Sequence, residues 1–464
     1  MAIMIEFVTL HFFTLVTFLF VFLAIGHLLT QRKKPSSTIA WTLTLILLPY
    51  LGIVLYMIFQ DRKLNKIIQN MHEIRLEDGD DVVEVPHSRT EHLLRANGIA
   101  GATGNNSFEL CVDGVDAYEK LCHLLERAQK SIYISTYIFG RDDVTKHLLD
   151  ILVKKAKEGL EVKLLIDAFG SQLLEIFPQS LAGLKKAGGE YHFFMSMIKH
   201  PRESKLNLRN HRKMIVVDGE SVMSGGINIS QEYLSAEDSQ ALWMDLSFIL
   251  KGAGARHYYE IFRYNWESEL NRALETHHDK HNIDAGDAIV QVVPSGPDVK
   301  TDALYEAYLS AIYEAQEKIW IVTPYFAPDS SLMDALIVAR HRGVEIKIIT
   351  AKVSDNFLVD ISCSGFLRDL EKEQVEILFY KDKMMHAKAC LVDQKCAMLG
   401  SSNFDARSFF YNFEVVSFLY SKKDIADVAL WIERLFSSCE KGMREGGRVR
   451  ILIENFFKIF APAL

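Results

Sequence analysis

The sequence predicts an α/β protein: two tandem homologous α/β domains related by a pseudo-twofold axis, preceded by an N-terminal two-helix transmembrane hairpin. Three observations predict it. Two long uncharged apolar runs open the chain, a long segment then occurs twice, and within each copy helical and β-branched stretches alternate.

The hairpin comes first, in residues 1–60. Phe7–Leu29 and Thr38–Phe59 contain no Asp, Glu, Lys or Arg, and at about 1.5 Å per residue each reaches across a hydrocarbon core of about 30 Å. A signal peptide fits poorly, because the extreme N-terminus carries Glu6 and no basic residue. Two buried soluble helices fit less well still. Pro49 falls inside the second run, where neighbouring groups can take up the freed carbonyl. Arg32, Lys33 and Lys34 join the runs and Arg62, Lys63 and Lys66 follow them, so charge does not orient the hairpin.

Residues 61–105 are polar and read as a connector. The duplication follows. Leu124-Leu125-Glu126-Arg127-Ala128-Gln129-Lys130-Ser131-Ile132-Tyr133-Ile134 matches Ala311-Ile312-Tyr313-Glu314-Ala315-Gln316-Glu317-Lys318-Ile319-Trp320-Ile321. Lys157-Glu158-Gly159 leads into Leu160–Leu165 as His341-Arg342-Gly343 leads into Val344–Ile349. Helix, apolar strand, helix, Gly and β-branched strand recur in that order, as βαβ units of a largely parallel sheet do. The period, about 180 residues, is too long for a solenoid, so 106–276 and 288–440 read as two domains. The linker 277–287 holds His277-His278-Asp279-Lys280-His281; its spacing suggests a metal, but its polar setting favours a solvated connector.

Each domain carries one H-x-K-x-x-x-x-D motif: His211, Lys213 and Asp218, then His386, Lys388 and Asp393. An Asn follows at the same later offset, Asn228 and Asn403. One such motif would be weak; two in register are strong. His and Lys two apart on a strand share a face, so each copy offers an imidazole beside an ammonium. Each Asp completes its motif and is counted with the catalytic groups, although its place, closing an apolar strand at a turn, suits a structural or ion-pairing role over proton transfer. Packed about a pseudo-twofold axis, two His, two Lys and two Asn suit a phosphate: Lys and Asn hold non-bridging oxygens, one His attacks and the other protonates the leaving oxygen. Asp245 and Glu414, one per copy in strand-like runs, are candidates to orient the imidazoles.

Charge narrows the classes. With 60 acidic and 52 basic residues the net charge is −8, a poor start for a nucleic-acid binder. No phosphate-binding loop or dinucleotide fingerprint occurs, and no metal or cofactor is expected. Six scattered cysteines read as free, packed thiols. Lys199, Arg202, Lys205, Arg209, Arg212 and Lys213 form a solvated basic loop or a docking patch for anionic headgroups. In 441–464, Val449, Leu452, Ile453, Phe456, Phe457 and Phe460 make an apolar stripe, with Arg448, Arg450 and Lys458 nearby. It fits an interfacial helix or packing on the protein's own core.

The paired motifs resemble those of the phospholipase D superfamily, and within it the bacterial cardiolipin synthases. Shared segments include Pro35-Ser36-Ser37-Thr38-Ile39-Ala40-Trp41, Leu206–Lys213, Thr323-Pro324-Tyr325-Phe326, Gly400–Ser408 and Asn412-Phe413-Glu414. The resemblance implies two phospholipase D-like domains and a cofactor-free reaction. One phosphatidylglycerol would be attacked at phosphorus by His211, glycerol would leave with a proton from His386, and the headgroup hydroxyl of a second phosphatidylglycerol would take the phosphatidyl group. It also implies a multi-pass bacterial cytoplasmic membrane protein, with anionic lipids as partners and a homo-oligomer left open; the catalytic domains are expected on the cytoplasmic side, because lipid precursors are made there and the cysteines show no disulfide pattern. The sequence departs from the pattern at Gly225-Gly226 opposite Gly400-Ser401, where a Ser401 contact to phosphate would be one-sided, at Met244, and around Ser362–Phe366. These bear on headgroup selectivity. Hydrolysis to phosphatidic acid, or phosphatidylethanolamine as donor, are the alternative reactions; an inactive membrane scaffold is the alternative of another class, disfavoured by two intact motifs.

Overall fold

The computed structural model describes residues 2–30, 35–59, 73–196, 198, 208–274, 284–443 and 445–458. The basic residues Lys199, Arg202 and Lys205, the His277–His281 linker, Phe460 and the charged flanks of the apolar runs lie outside them. The chain divides into two compact units, Met1–Asn65 and Lys66–Leu464.

The first unit holds helices α1 (Ala2–Thr30), α2 (Pro35–Leu47) and α3 (Pro49–Phe59). The second apolar run is therefore broken at Leu48, because Pro49 has no N–H to donate. The chain stays wound across the break: Leu48 N–H donates to Thr44 O at 2.9 Å and Gly52 N–H to Leu48 O at 2.6 Å. Gly52 is needed there, since a Cβ would sit 2.8 Å from Thr44 O. Val21, Leu28, Leu45 and Tyr56 pack together, and His27 Nδ1 lies 2.7 Å from the Tyr56 hydroxyl, while Phe18, Phe22, Leu29 and Leu47 face outward. Among the described residues no helix is long and apolar enough to cross a membrane.

The second unit is built on one sheet. The first copy supplies β1 (Thr103–Cys111), β2 (Ser131–Thr136), β3 (Glu161–Asp167), β4 (Glu190–Phe194), β5 (Met214–Val217), β6 (Ser221–Gly225) and β7 (Ser247–Lys251). The second supplies β8 (Ala288–Ser295), β9 (Lys318–Val322), β10 (Phe326–Ala327), β11 (Glu345–Ala351), β12 (Glu376–Tyr380), β13 (Ala389–Val392), β14 (Cys396–Gly400), β15 (Phe404–Asp405), β16 (Glu414–Leu419) and β17 (Cys439–Lys441). The order is β17-β12-β11-β9-β13-β14-β16-β8-β1-β7-β6-β5-β2-β3-β4, with β10 and β15 paired separately. Read outward from the central antiparallel pair β8–β1, the two halves have the same order over seven strands each, as a pseudo-twofold axis requires, and β17 is added at the edge of the second half alone. Within each half β2–β3–β4 and β9–β11–β12 are parallel, and the motif strands β5 and β13 run antiparallel to them. Short apolar strands such as Ile132–Ile134 and Ile346–Ile349 are buried on both faces, where covering helices exclude water.

One part of the second unit departs from its sequence reading. The connector 61–105 is not merely a spacer: Ile74 and Leu76 enter the core, and helix Arg89–Ala96, N-capped by Ser88, packs on helix Ala303–Glu314. The C-terminal helix Arg448–Lys458 is docked on helix Phe357–Lys372, but through its polar side, with Glu454 buried against Arg368 at 2.8 Å. All six cysteines are free.

Candidate active site

Two cross-copy backbone pairings build the site. Asn210 bridges in parallel to Phe413, with His211 N–H donating to Phe413 O at 2.9 Å; Met244 bridges to Met385, with His386 N–H donating to Met244 O at 2.7 Å. The residue after each bridge partner is the candidate orienting carboxylate, so the carboxylates are exchanged between copies. Glu414 of the second copy holds His211 Nδ1 at 2.9 Å, and Asp245 of the first holds His386 Nδ1 at 2.6 Å. With Nδ1 engaged, Nε2 is the ring nitrogen each imidazole offers to a substrate.

His211 and His386 line one cleft of about 490 Å³ together with Asn228, Asn403, Arg209 and Arg407. The Tyr137 ring meets His211 edge-on at 5.2 Å, and Tyr233 meets His386 at 4.8 Å, boxing both imidazoles. Asn228 is fixed by its amide oxygen, which accepts the Ile138 N–H at 3.3 Å. Lys213 and Lys388 lie beneath the histidines: Lys213 Nζ donates to His211 O at 3.0 Å, and Lys388 Nζ sits under the His386 ring, 3.0 Å from Nδ1 and 3.1 Å from Nε2, and also donates to His386 O.

Burial sets the electrostatics. Both imidazoles are pushed below their ordinary value, first because a dry site penalises the charged ring, with the neighbouring lysines adding to this and the carboxylates opposing it. Asp245 and Glu414 are held below the ordinary carboxylate range: burial works against this, but the paired histidines and lysines outweigh it. The two ammoniums are shifted down by burial, Lys213 to about 7 and Lys388 to about 8. Anchored through Nδ1 by anionic carboxylates, each imidazole is equipped to attack an electrophile when neutral and to give up an Nε2 proton when charged.

Three expected site residues fall elsewhere. Asp218 and Asp393, expected among the catalytic groups, do not line the cleft. Each sits at φ 54° in the turn after its motif strand and accepts three successive backbone N–H groups: Gln129, Lys130 and Ser131 for Asp218, and Gln316, Glu317 and Lys318 for Asp393. They pin the start of β2 and β9. Ser401, expected on phosphate, is fully buried behind Glu414. The β14–β16 pairing aims its hydroxyl at that carboxylate and lets it accept the Val415 N–H at 3.0 Å.

Sequence reasoning missed several groups. Arg212, the residue between His and Lys of the first motif, is fully buried and donates to both Asp298 oxygens at 2.6 and 2.8 Å and to Glu414 O at 3.0 Å. Nothing in the motif signals this, since its counterpart is Ala387. Tyr325 and Asp355, hydrogen-bonded at 2.5 Å, also line the cleft. Thr136 and Thr323 are a signal that could have found this region, each closing the same turn onto the carbonyl two residues on, Ile138 and Tyr325. Among the described residues there is no group of three or more side chains able to hold a metal ion.

Comparison with known proteins agrees with the duplicated architecture. A family model described as "Cardiolipin synthase, PLD-like domain" matches residues 121–266 and 308–438, and one described as "Phospholipase_D-nuclease N-terminal" matches 19–60. The chain is similar to the major cardiolipin synthase ClsA of Bacillus subtilis, 32% identical over 86% of this chain and 87% of that one. It is also similar to cardiolipin synthase 1 of Bacillus anthracis, 29% identical over 94% and 90%. Among solved structures, phosphatidylserine synthase of Haemophilus influenzae shares the fold, with a TM-score of 0.61 and 16% identity over 81% of this chain and 98% of that one.

Proposed function

The chain belongs to the phospholipase D-like cardiolipin synthase family, as a phosphatidyltransferase, and we propose that it joins two phosphatidylglycerol molecules into cardiolipin with release of glycerol. The observation that carries this is the crosswise pairing His211–Glu414 and His386–Asp245 around one cleft. It supplies two oriented imidazoles, as a double displacement at phosphorus requires.

In the first half-reaction His211 Nε2 attacks phosphorus. The P–N bond forms as the bond to the glycerol oxygen breaks, and His386, entering this step as the imidazolium with its Nδ1–H on Asp245, gives that oxygen its Nε2 proton and is left neutral. In the second, His386 takes the proton of the incoming headgroup hydroxyl, whose oxygen forms the new P–O bond while the P–N bond breaks. One phosphodiester replaces another, so no nucleotide is consumed. Asn228 and Asn403 would hold non-bridging oxygens, while Lys213 and Lys388 supply positive charge beneath them. Ser401 acts through Glu414, and Asp218 and Asp393 act on the fold. The first unit, with His27 and Tyr56 turned inward and apolar side chains outward, is suited to anchor the enzyme in the bacterial cytoplasmic membrane beside its lipid substrates.

The test is turnover of labelled phosphatidylglycerol in mixed micelles, read by lipid chromatography. Cardiolipin and free glycerol in equal amounts, lost in His211→Ala and His386→Ala, are expected. Phosphatidic acid alone would make the enzyme a hydrolase, and turnover only after phosphatidylethanolamine is added would change the donor.

A further inference from the structure

The exposed large apolar side chains of the second unit are concentrated. Phe169, Leu173, Ile176 and Phe177, 40–64% exposed, lie in the loop and short helix after β3. Val353, Phe357 and Leu358, 44–73% exposed, lie at the pseudo-equivalent place after β11. Val449, Leu452 and Phe456, 55–73% exposed, share the C-terminal helix with exposed Ile453. Ile198 borders the same cavity as Glu175 and Pro178 of the first segment, which leaves Tyr313, Val338 and Leu430 as the remaining examples among the described residues. Isolated apolar side chains on a surface are ordinary; three neighbouring runs mark a contact.

Their position identifies the contact. Phe169 and Asn356, the residue before Phe357, line the catalytic cleft. Helix Phe357–Lys372 gives Val359 and Ser362 to the cleft, and Phe357 and Ile361 to a second cavity of about 280 Å³ that Arg450 of the C-terminal helix also borders. All three segments are thus continuous with the cleft. The C-terminal helix is also inverted relative to an ordinary surface helix: Glu454 and Lys458 make the inner contacts, to Arg368 and Asp369, and its apolar stripe is left outside. Arg448 beside that stripe matches an anionic surface, while Arg450 is held by Glu454 at 2.8 Å.

We infer that the loops after β3 and β11 and the C-terminal helix seat the cleft on the surface of an anionic bilayer, so that headgroups enter while acyl chains stay in the leaflet. A second copy on the same surface would cover the route its substrates must take. This docking rests on the lipid substrates proposed above.

The test uses the full-length protein in nanodiscs containing phosphatidylglycerol. Phe357→Trp and Leu452→Trp are each expected to add fluorescence quenching by brominated acyl chains beyond that of the parent. No added quenching overturns the docking whether or not the enzyme turns over; cross-linking of these positions between copies would overturn it in favour of a dimer. The triple variant Leu173→Asp/Phe357→Asp/Leu452→Asp is expected to lose about tenfold or more in kcat/KM on bilayer phosphatidylglycerol. Its turnover of monomeric short-chain phosphatidylglycerol should stay within about twofold. Equal loss on both substrates, or none on the bilayer, contradicts the inference. A parent inactive on both substrates would count against the proposed reaction, and quenching would still decide the docking.

Discussion

His211 and His386 are prepared by what lies behind them. Each motif's Lys is buried beneath its His, and burial shifts Lys213 to about 7 and Lys388 to about 8, below the ordinary value. The ammoniums are therefore charged below those values and lose charge as pH rises through them. If that charge stabilises the phosphorane-like transition state, kcat/KM should fall as pH rises through about 7 to 8, and a profile flat from pH about 6 to about 9 would contradict it. The motif aspartates predict something different. Because the Asp218 carboxylate accepts three backbone N–H bonds outside the cleft, Asp218→Ala is expected to lose about 1.5–3 kcal/mol of stability in denaturant titration. The kcat of the folded fraction should change far less than in His211→Ala. A collapse of kcat without loss of stability would return Asp218 to the chemistry. The turn role of these aspartates was legible in the sequence, because Asp218-Gly219 ends an apolar strand; the N–H groups they accept were not, being 87–89 residues away for Asp218 and 75–77 for Asp393.

At the scale of the element, the paired strands explain an asymmetry that the sequence posed without resolving. Gly225-Gly226 stands where Gly400-Ser401 stands in the other copy, and Asp245 stands where Glu414 stands. A Cβ on Gly226 would lie 2.1 Å from Asp245 Oδ1, whereas the longer Glu414 reaches past Ser401 and takes its hydroxyl as a donor. Gly accompanies Asp, and Ser accompanies Glu. Gly226→Ala should push Asp245 off His386 and lower kcat about 10- to 100-fold with little change in KM, measured by steady-state kinetics. Unchanged kcat would show that this carboxylate does not orient the ring. The two candidate carboxylates were visible as charges inside apolar strands. Their exchange between copies was not, because it depends on the Asn210–Phe413 and Met244–Met385 bridges, which no local spacing encodes.

At the scale of the whole molecule, the duplication is the most legible feature, since motif, offset and strand order all repeat. The seam between the copies is the least. Part of the presumed connector enters the core, the central β1–β8 pair joins both halves into one sheet, and Arg212 reaches across to Asp298. That pair is buried and doubly hydrogen-bonded, so Arg212→Ala leaves a buried carboxylate without its countercharge, with the Asn265 amide still donating to it at 3.1 Å. It should destabilise the second unit by about 3–5 kcal/mol, with Arg212→Ala/Asp298→Ala losing less than the sum of the single variants in denaturant titration. Additive losses would mean the pair is not a lock. The central claim is that one cleft, assembled from both copies, transfers the phosphatidyl group through a histidine. The most direct measurement is acid quench during turnover of phosphatidylglycerol, followed by peptide mass spectrometry. A phosphatidyl adduct on one motif histidine, His211, absent from His211→Ala, is the expected result. Steady turnover with no adduct on either His211 or His386 would contradict it.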